Sequence, residues 1–275
     1  MRIIKKVLSE FVVLFLVILT LVPIVWIFLM SLKTNYEIFN HPLNLPNAIR
    51  FDNYEDAWEL VPFMRLLGNT MYLAFFALII GTALGIMSSF ALARFKHFEK
   101  LTKGFYLYFL AGLFVPGFIL LFPVFIILSN LGLTNNHWGL ILTYVGWSIT
   151  MNTLLLVAAF RNIPGELEEA AALDGCGVMR ICWQIFVPIA KPALATVLLL
   201  SFLGIYNEFI FASIMIFSPD KFTIALSASY FTGLFSVDYA GTTAAIMIIV
   251  LPQLVLFAFF QRFVIAGIAA GAIKG

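Results

Sequence analysis

The sequence contains few charged residues. Asp, Glu, Lys and Arg make up 11% of its 275 residues, whereas a soluble domain averages about 25%. Apolar residues make up 63%, and a water-soluble fold with that composition lacks enough polar residues to cover its surface. The net charge of +2 is too small to suggest a nucleic-acid partner. This composition excludes a soluble enzyme and a disordered chain and indicates an integral membrane protein.

Cysteine and nucleotide-binding motifs are also scarce. The two cysteines, Cys176 and Cys182, are too few for a disulfide scaffold, and no metal-ligand spacing surrounds them. We expect both to be reduced. The sequence has no Gly-x-x-x-x-Gly-Lys-Ser/Thr segment, so it does not predict ATP binding in the P-loop manner. Any ATP-driven function would therefore depend on a partner.

Long apolar runs make up most of the remaining sequence. A helix needs about 20 apolar residues to cross roughly 30 Å of hydrocarbon. Six stretches meet that length: 11–32, 66–93, 104–128, 138–160, 192–217 and 239–261. Each run is continuously apolar and does not alternate with polar residues. The predicted fold class is an all-α integral membrane protein with six transmembrane helices.

The distribution of Lys and Arg predicts the orientation of these spans. With the N-terminus in the cytoplasm, cytoplasmic segments hold twelve of the 16 basic residues. Loop 161–191 and tail 262–275 then lie inside, and loops 33–65 and 218–238 lie outside. The basic N-terminus precedes a long apolar run without a small-residue cleavage site, which predicts a retained first span and not a signal peptide.

The cytoplasmic loop 161–191 has the pattern of a structured elbow. Pro164 suits the start of a helix, and the three glutamates among residues 166–169 suit its N-terminal dipole. Residues 170–173 have high helix propensity. Gly175 and Gly177 then predict a stop, because glycine adopts the left-handed conformation that commonly follows a helix.

A second short helix is predicted from about Val178 to Val187, ending before Pro188. The two helices would form a knob that projects from the membrane. Its apolar residues exceed what a solvated loop needs: Leu173, Met179, Ile181 and Phe186. We expect some of them to pack on the bundle and others to fill a groove on a partner protein.

The same loop resembles the EAA loop of bacterial ABC importer permeases. Segment 169–175 reads Glu-Ala-Ala-Ala-Leu-Asp-Gly, and Ile185 follows Gly175 after nine residues. Val187 stands before Pro188 where the family usually has Leu, and Cys176 stands where Ala is common. Further segments resemble the second permease subunit of maltose-type carbohydrate importers: 31–34, 91–95, 206–209, 260–264 and the Gly-Ala-Ile-Lys-Gly segment 271–275.

This resemblance implies a type I ABC importer permease fold with both termini cytoplasmic, in the inner membrane of a bacterium or archaeon. It implies a heterodimer with a second permease, two ATPase subunits inside and a soluble sugar-binding protein outside. ATP and Mg²⁺ would bind the ATPases, and this chain would need no cofactor. The residues implied to contact the ATPases are Glu169, Ala170, Ala171, Asp174 and Gly175 in the loop, with Ala272, Ile273, Lys274 and Gly275 in the tail.

Glu208 is the only ionisable residue within a predicted span, and such residues normally face a cavity or a partner. Along a continuous helix from Pro192 it would lie in the outer half of the membrane. Three interpretations remain open: a structural hydrogen-bond anchor, a sugar-pathway residue beside Tyr206 and Asn207, or an ion site. Asn152 in the fourth span is a further pathway candidate, with Tyr144 and Trp147 as either sugar contacts or packing residues.

The two outer loops present further candidates for contact with a partner. Asp52 or Asn53 is predicted to cap a short helix carrying Trp58, either as an amphipathic membrane-surface helix or as a docking surface. Loop 218–238 is long enough to enter a docked protein. The resemblance implies that it helps to eject sugar from the binding protein.

Several functions compete with sugar import. The same importer class handles other cargo, such as glycerol phosphate or a polyol. An ion-coupled secondary transporter usually has several intramembrane charges and paired repeats, and the sequence shows neither. A membrane enzyme would need clustered His, Asp, Glu or Cys, whereas the three histidines are scattered over separate loops.

Overall fold

The computed structural model describes residues 2–95, 98–233 and 237–272. In chain order the helices are α1 Arg2–Ser31, α2 Asn35–Asn40, α3 Asp52–Leu60, α4 Phe63–Arg94, α5 Glu99–Gly112, α6 Leu121–Asn130, α7 His137–Arg161, α8 Gly165–Leu173, α9 Val178–Ile181, α10 Val187–Ile189, α11 Lys191–Tyr206, α12 Ile210–Met215 and α13 Tyr239–Ala272. Two compact units are present. Met1–Phe63 and Ser227–Leu254 form the first, and Met64–Leu226 and Val255–Gly275 form the second.

Within the described residues, three helices are long and apolar enough to cross a membrane without a break. They are Leu8–Ser31 within α1, all of α4 and all of α7. They coincide closely with the predicted runs 11–32, 66–93 and 138–160. Continuous apolar sequence without an internal proline accounts for α4 and α7, while α1 continues through Pro23.

The predicted third span, 104–128, is bent and not continuous. Helix α5 ends at Gly112, and Gly117–Asn130 resumes at an angle of 93° to it. Pro116 adopts an extended conformation immediately before the new helical segment. The break follows from proline chemistry, because Pro116 lacks an N–H donor and disfavours helical geometry in the residue before it.

The predicted fifth span, 192–217, also differs from a single helix. Helix α11 ends at Tyr206, and the short helix α12 begins at Ile210. The sequence predicts that Glu208 lies along a continuous helix. The structure instead places Glu208 in a break between two helices. On its other side, α11 meets Val178–Ile189 at 83°.

The predicted sixth span, 239–261, lies within the longer helix α13, which continues through Pro252. The described backbone of this helix reaches Ala272. The remaining tail residues assigned to ATPase contact, Ile273, Lys274 and Gly275, lie outside the described residues.

In the first unit, hydrogen bonds organise the loop after α1. Helix α2 begins with a capping box, in which the Thr34 hydroxyl accepts from the Glu37 N–H and the Glu37 carboxylate accepts from the Thr34 N–H. The Asn47 N–H also donates to Glu37, at 3.0 Å. These backbone donors hold the pKa of Glu37 at about 2, below its ordinary value of 4.5. The buried Lys33 ammonium donates to two backbone carbonyls, those of His41 and Pro42.

The sequence predicts that Asp52 or Asn53 caps α3, but neither side chain does so. Helix α3 begins after Phe51 without a side-chain cap. The Asn53 amide instead donates to the carbonyls of Ser31 and Lys33, at 2.8 and 2.9 Å. These carbonyls lie at and just beyond the end of α1, where the helix leaves its acceptors without intrahelical donors.

In the second unit, two hydrophobic clusters hold the spans together. The first joins α4, α7 and the broken fifth span; its members include Leu73, Leu140, Tyr144, Phe211 and Leu226. The second lies where loop 161–191 meets the spans; its members include Phe90, Phe160, Ile181, Phe186 and Val197. The second cluster therefore makes the loop part of the folded bundle.

Candidate coupling loop and transport pathway

Helix α8 forms the first half of the elbow. It begins at Gly165 after Pro164, with Glu166 and Glu168 in its first turn. Their negative charges interact favourably with the positive end of the helix dipole. The alanine-rich sequence that follows continues the helix to Leu173, as its propensity predicts.

A glycine turn ends α8. The Gly175 N–H donates to the Ala172 carbonyl at 3.0 Å, and the Cys176 N–H donates to the Ala171 carbonyl at 2.9 Å. This pair of bonds is a Schellman motif, and Gly175 has the left-handed φ of +79° that the motif requires. Gly177 has an extended backbone with φ −72°, so of the two predicted stops only Gly175 uses glycine's conformational freedom.

The second half of the elbow is longer than the predicted helix 178–187. Helical structure runs from Val178 through a π-helical segment, Cys182–Phe186, to Ile189. The Val187 N–H donates to the Cys182 carbonyl, five residues earlier. Pro188 lies inside the helical stretch that ends at Ile189, whereas the sequence predicts that the helix ends before it. A wider turn accommodates Pro188, which has no N–H to donate to the preceding turn.

The elbow divides its apolar residues between two sides. Ile181 and Phe186 are buried in the second cluster, and Ala171 joins them with 7% of its surface exposed. Leu173 is 90% exposed and Met179 is 55% exposed. Exposure of large apolar side chains at the tip of a folded loop is typical of a protein-interaction site.

The loop residues predicted to contact the ATPases are likewise divided into exposed and buried ones. Glu169, Ala170, Asp174 and Gly175 are exposed around Leu173. Ala171 is buried and packs within the chain, so its small side chain permits close packing of α8 on the bundle. The sequence predicts Leu173 only as one of several apolar residues of the loop. Its exposure in the structure distinguishes it from the buried Ile181 and Phe186.

Arg94, the last residue of α4, connects the elbow to the spans. Its guanidinium donates to the Phe160 carbonyl at 2.9 Å and to the Ile163 carbonyl. It lies 4.5 Å from the ring centre of Phe186. Its Nε lies 3.7 Å from a carboxylate oxygen of Glu168. No local sequence pattern reveals these contacts, because they join residues far apart in the chain.

Glu208 occupies the break between α11 and α12, and its side chain bonds to α12 and to α7. Its carboxylate accepts from the N–H groups of Phe211 and Ala212 at 2.8 and 3.0 Å. The Tyr144 hydroxyl of α7 donates to it at 2.9 Å. Glu208 thus caps a short helix and ties it to the fourth span. These contacts favour the structural-anchor interpretation among the three left open.

Three of the four predicted pathway residues line a cavity of about 530 Å³ between α7 and the broken fifth span. Asn152, Asn207 and Glu208 line it, with Trp147 and Ser201. The side-chain amide oxygen of Asn152 accepts from the Ser201 hydroxyl at 3.0 Å. Tyr206, the fourth predicted pathway residue, is 1% exposed and does not line this cavity.

The beginning of loop 218–238, which is predicted to lie outside, is held to the bundle by hydrogen bonds. The Asn135 side-chain oxygen accepts from the Phe217 and Ser218 N–H groups, at 3.3 and 3.1 Å. The Lys221 ammonium donates to the Asn135 carbonyl at 2.8 Å, and Asn69 donates to the carbonyls flanking Lys221. Residues 217–222 therefore form a fixed rim, so they are not a free arm that reaches away from the bundle.

These features define a multi-pass helical membrane protein with an exposed elbow and, between two of its spans, a mostly apolar cavity with a few polar side chains. Residues 81–269 match the family described as binding-protein-dependent transport system inner membrane components. The chain belongs to this family, and it is a transport subunit of that class.

Individual proteins extend the match over most of the chain. A diacetylchitobiose uptake system permease protein from Streptomyces coelicolor is 33% identical, covering 94% of this chain and 85% of that protein. A trehalose transport system permease protein from Mycobacterium tuberculosis is 31% identical, covering 93% of each. The solved structure of a bacterial ABC transporter that imports the acidic polysaccharide alginate shares the fold, with TM-score 0.77, 22% identity and coverage of 94% and 96%.

Proposed function

We propose that this chain is one of two transmembrane subunits of an ATP-driven importer that takes up a sugar delivered by an external binding protein. The chain is a non-catalytic subunit without a cofactor of its own. It pairs with a second permease and two ATPases in the cytoplasmic membrane of a bacterium or archaeon. The family match supports the transport system, and the sugar-permease relatives support the cargo.

The single observation that carries the coupling role is the exposed elbow tip. Leu173 protrudes from a folded support, surrounded by Glu169, Ala170, Asp174 and Gly175. An apolar residue in a rigid turn suits insertion into a groove of the ATPase, where the neighbouring carboxylates can pair with basic residues. Ala272 and the tail 273–275 are assigned to a second ATPase contact by resemblance.

The cavity supports a neutral sugar as cargo. Its mostly apolar lining includes the aromatic side chain of Trp147 and the polar groups of Asn152, Asn207 and Glu208, and such groups bind the apolar ring faces and the hydroxyls of sugars. Among its described lining residues there is no Lys or Arg. Phosphate is usually held by such cations, so a neutral sugar fits this half of the pathway better than glycerol phosphate.

Purification of the tagged chain with its native partners tests the assembly. We expect an ATPase and a second permease to be recovered with it. Leu173→Asp should release the ATPase, because it places a charge in an apolar contact. Leu43→Asp is the matched control, since Leu43 is an equally exposed leucine, at 85%, in the predicted outer loop. Equal ATPase recovery with both variants would contradict the assignment of the elbow.

Uptake by reconstituted vesicles tests energy source and cargo. With binding protein outside and ATP inside, we expect accumulation of trehalose or diacetylchitobiose and none of glycerol 3-phosphate. Uptake by the chain alone under an ion gradient would support a secondary transporter and refute the proposal.

A further inference from the structure

Arg94 brings four structural elements to one point. It is the last residue of α4, and its side chain is only 8% exposed. It contacts the end of α7 through the Phe160 and Ile163 carbonyls, α8 through Glu168, and the π-helical segment through Phe186. One side chain thus joins two spans to both halves of the elbow.

Arginine is suited to this position by its shape. Its guanidinium carbon lies over the Phe186 ring, 4.5 Å from the ring centre, while its N–H groups donate to carbonyl oxygens. The carbonyls lie at the end of α7 and just beyond it, where the helix dipole is negative and favours a cation. Lysine has a single ammonium on a flexible stem and cannot stack and donate sideways at once.

The ring under Arg94 is itself held rigidly. Phe186 is fully buried and meets Phe90 and Phe160 edge to face, with ring centres 5.0 and 5.6 Å apart. Phe90 belongs to α4, one turn before Arg94, and Phe160 belongs to α7. Close-packed cores transmit displacement because they have little free volume in which to absorb it.

We propose that Arg94 is a positioning residue that makes the inner end of α4 follow the elbow when the ATPases move it. This inference rests on the proposed function and identifies how motion enters the second span. Displacement of α8 and the π-helical segment is passed to Arg94 through Glu168 and Phe186. Loss of the guanidinium leaves apolar packing in place but removes its polar and charged contacts.

Coupling measurements on the complete reconstituted importer test this proposal. For Arg94→Lys and Arg94→Gln we expect ATP hydrolysis to continue while sugar transported per ATP falls about tenfold, within the range of coupling changes that such mutations produce. Arg94→Lys retains the charge, so it separates charge from guanidinium geometry.

The matched control is Arg161→Gln. Arg161 ends α7 as Arg94 ends α4, and it also packs on an aromatic ring, that of Tyr106, at 5.1 Å. No contact with α8 or the π-helical segment is described for it. We expect Arg161→Gln to transport with the same ratio of sugar to ATP as the unsubstituted protein. Equal ratios in the Arg94 and Arg161 variants would overturn the proposal.

A distance measurement keeps the proposal testable if an Arg94 variant assembles poorly. Spin labels are placed through Met87→Cys on α4 and Glu166→Cys on α8, both exposed, after replacing Cys176 and Cys182 with alanine. In the complex with Arg94 present, we expect the same distance with and without ATP. A change beyond about 2 Å, the size of a common interhelix shift, would refute joint movement of α4 and α8.

Different results would refute the proposed transport function and the proposed role of Arg94. If the unsubstituted complex shows no ATP-driven uptake, the proposed function is wrong. If it transports normally while Arg94→Lys and Arg94→Gln couple as well as it does, only the role of Arg94 is wrong.

Discussion

Substitution of Gly175 should weaken the elbow through backbone conformation alone. Its φ is +79°, and an added Cβ would meet no atom within 4 Å. The cost of Gly175→Ala is therefore the cost of placing an L-residue in the left-handed region, roughly 1–2 kcal/mol. A penalty of that size changes the ratio of native to altered elbow by a factor of about 5–30.

Three further variants separate this cause from others. Gly175→Val should be more harmful than Gly175→Ala, since a β-branched residue is least tolerant of positive φ. Gly175→Asn should retain more function, because Asn adopts this conformation more readily. Gly177→Ala is the matched control: Gly177 lies two residues away, also has open space around it, but has φ −72°.

The assay is sugar transported per ATP hydrolysed by the reconstituted importer, with ATPase recovery measured on the same preparations. We expect Gly177→Ala to match the unsubstituted protein, followed in declining order by Gly175→Asn, Gly175→Ala and Gly175→Val. Normal coupling in Gly175→Val, or equal defects in Gly175→Ala and Gly177→Ala, would refute the conformational explanation.

Other predictions follow from single contacts. Glu37 stabilises the fold while ionised, because its pKa is lowered from 4.5 to about 2; the advantage in thermal unfolding temperature over Glu37→Gln should be complete above pH 4.5 and disappear as pH falls toward 2. A maleimide should label Cys176 before Cys182, since Cys182 is buried and Cys176 is only partly so; equal rates, measured by mass spectrometry, would contradict the packing. Glu208→Gln should lower stability by about 1–3 kcal/mol, and by more than Tyr144→Phe, because Glu208 accepts from two backbone N–H groups as well as from Tyr144; equal unfolding temperatures of the two variants would contradict this order.

Much of the elbow is predictable because its signals are local. Pro164, the glutamates that follow it and Gly175 lie within one short segment, and each acts on the backbone next to it. Which face of α8 is buried was not predictable in the same way. Ala170 and Ala171 are identical neighbours in sequence, yet one is exposed and the other buried, because the contacts of the second cluster decide the rotation of the helix.

The broken spans show a similar limit. Apolar composition predicts that 104–128 and 192–217 lie in a membrane, but composition is the same for straight and bent helices. In the first, the bend lies at Pro116, which has no N–H to donate. The break at Glu208 became visible only with its partners, since a carboxylate that accepts from Phe211 and Ala212 replaces helical hydrogen bonds with its own.

The amino-acid sequence alone determined the membrane environment, the apolar segments and the position of the elbow, because hydrophobicity and turn chemistry act over a few neighbouring residues. The tertiary structure alone decided what the isolated polar side chains do. Arg94 bonds to a carbonyl 66 positions away, Tyr144 to a carboxylate 64 positions away, and Asn53 to a carbonyl 22 positions away. Such pairings arise from the packing of helices against one another, and no periodicity in the sequence encodes them.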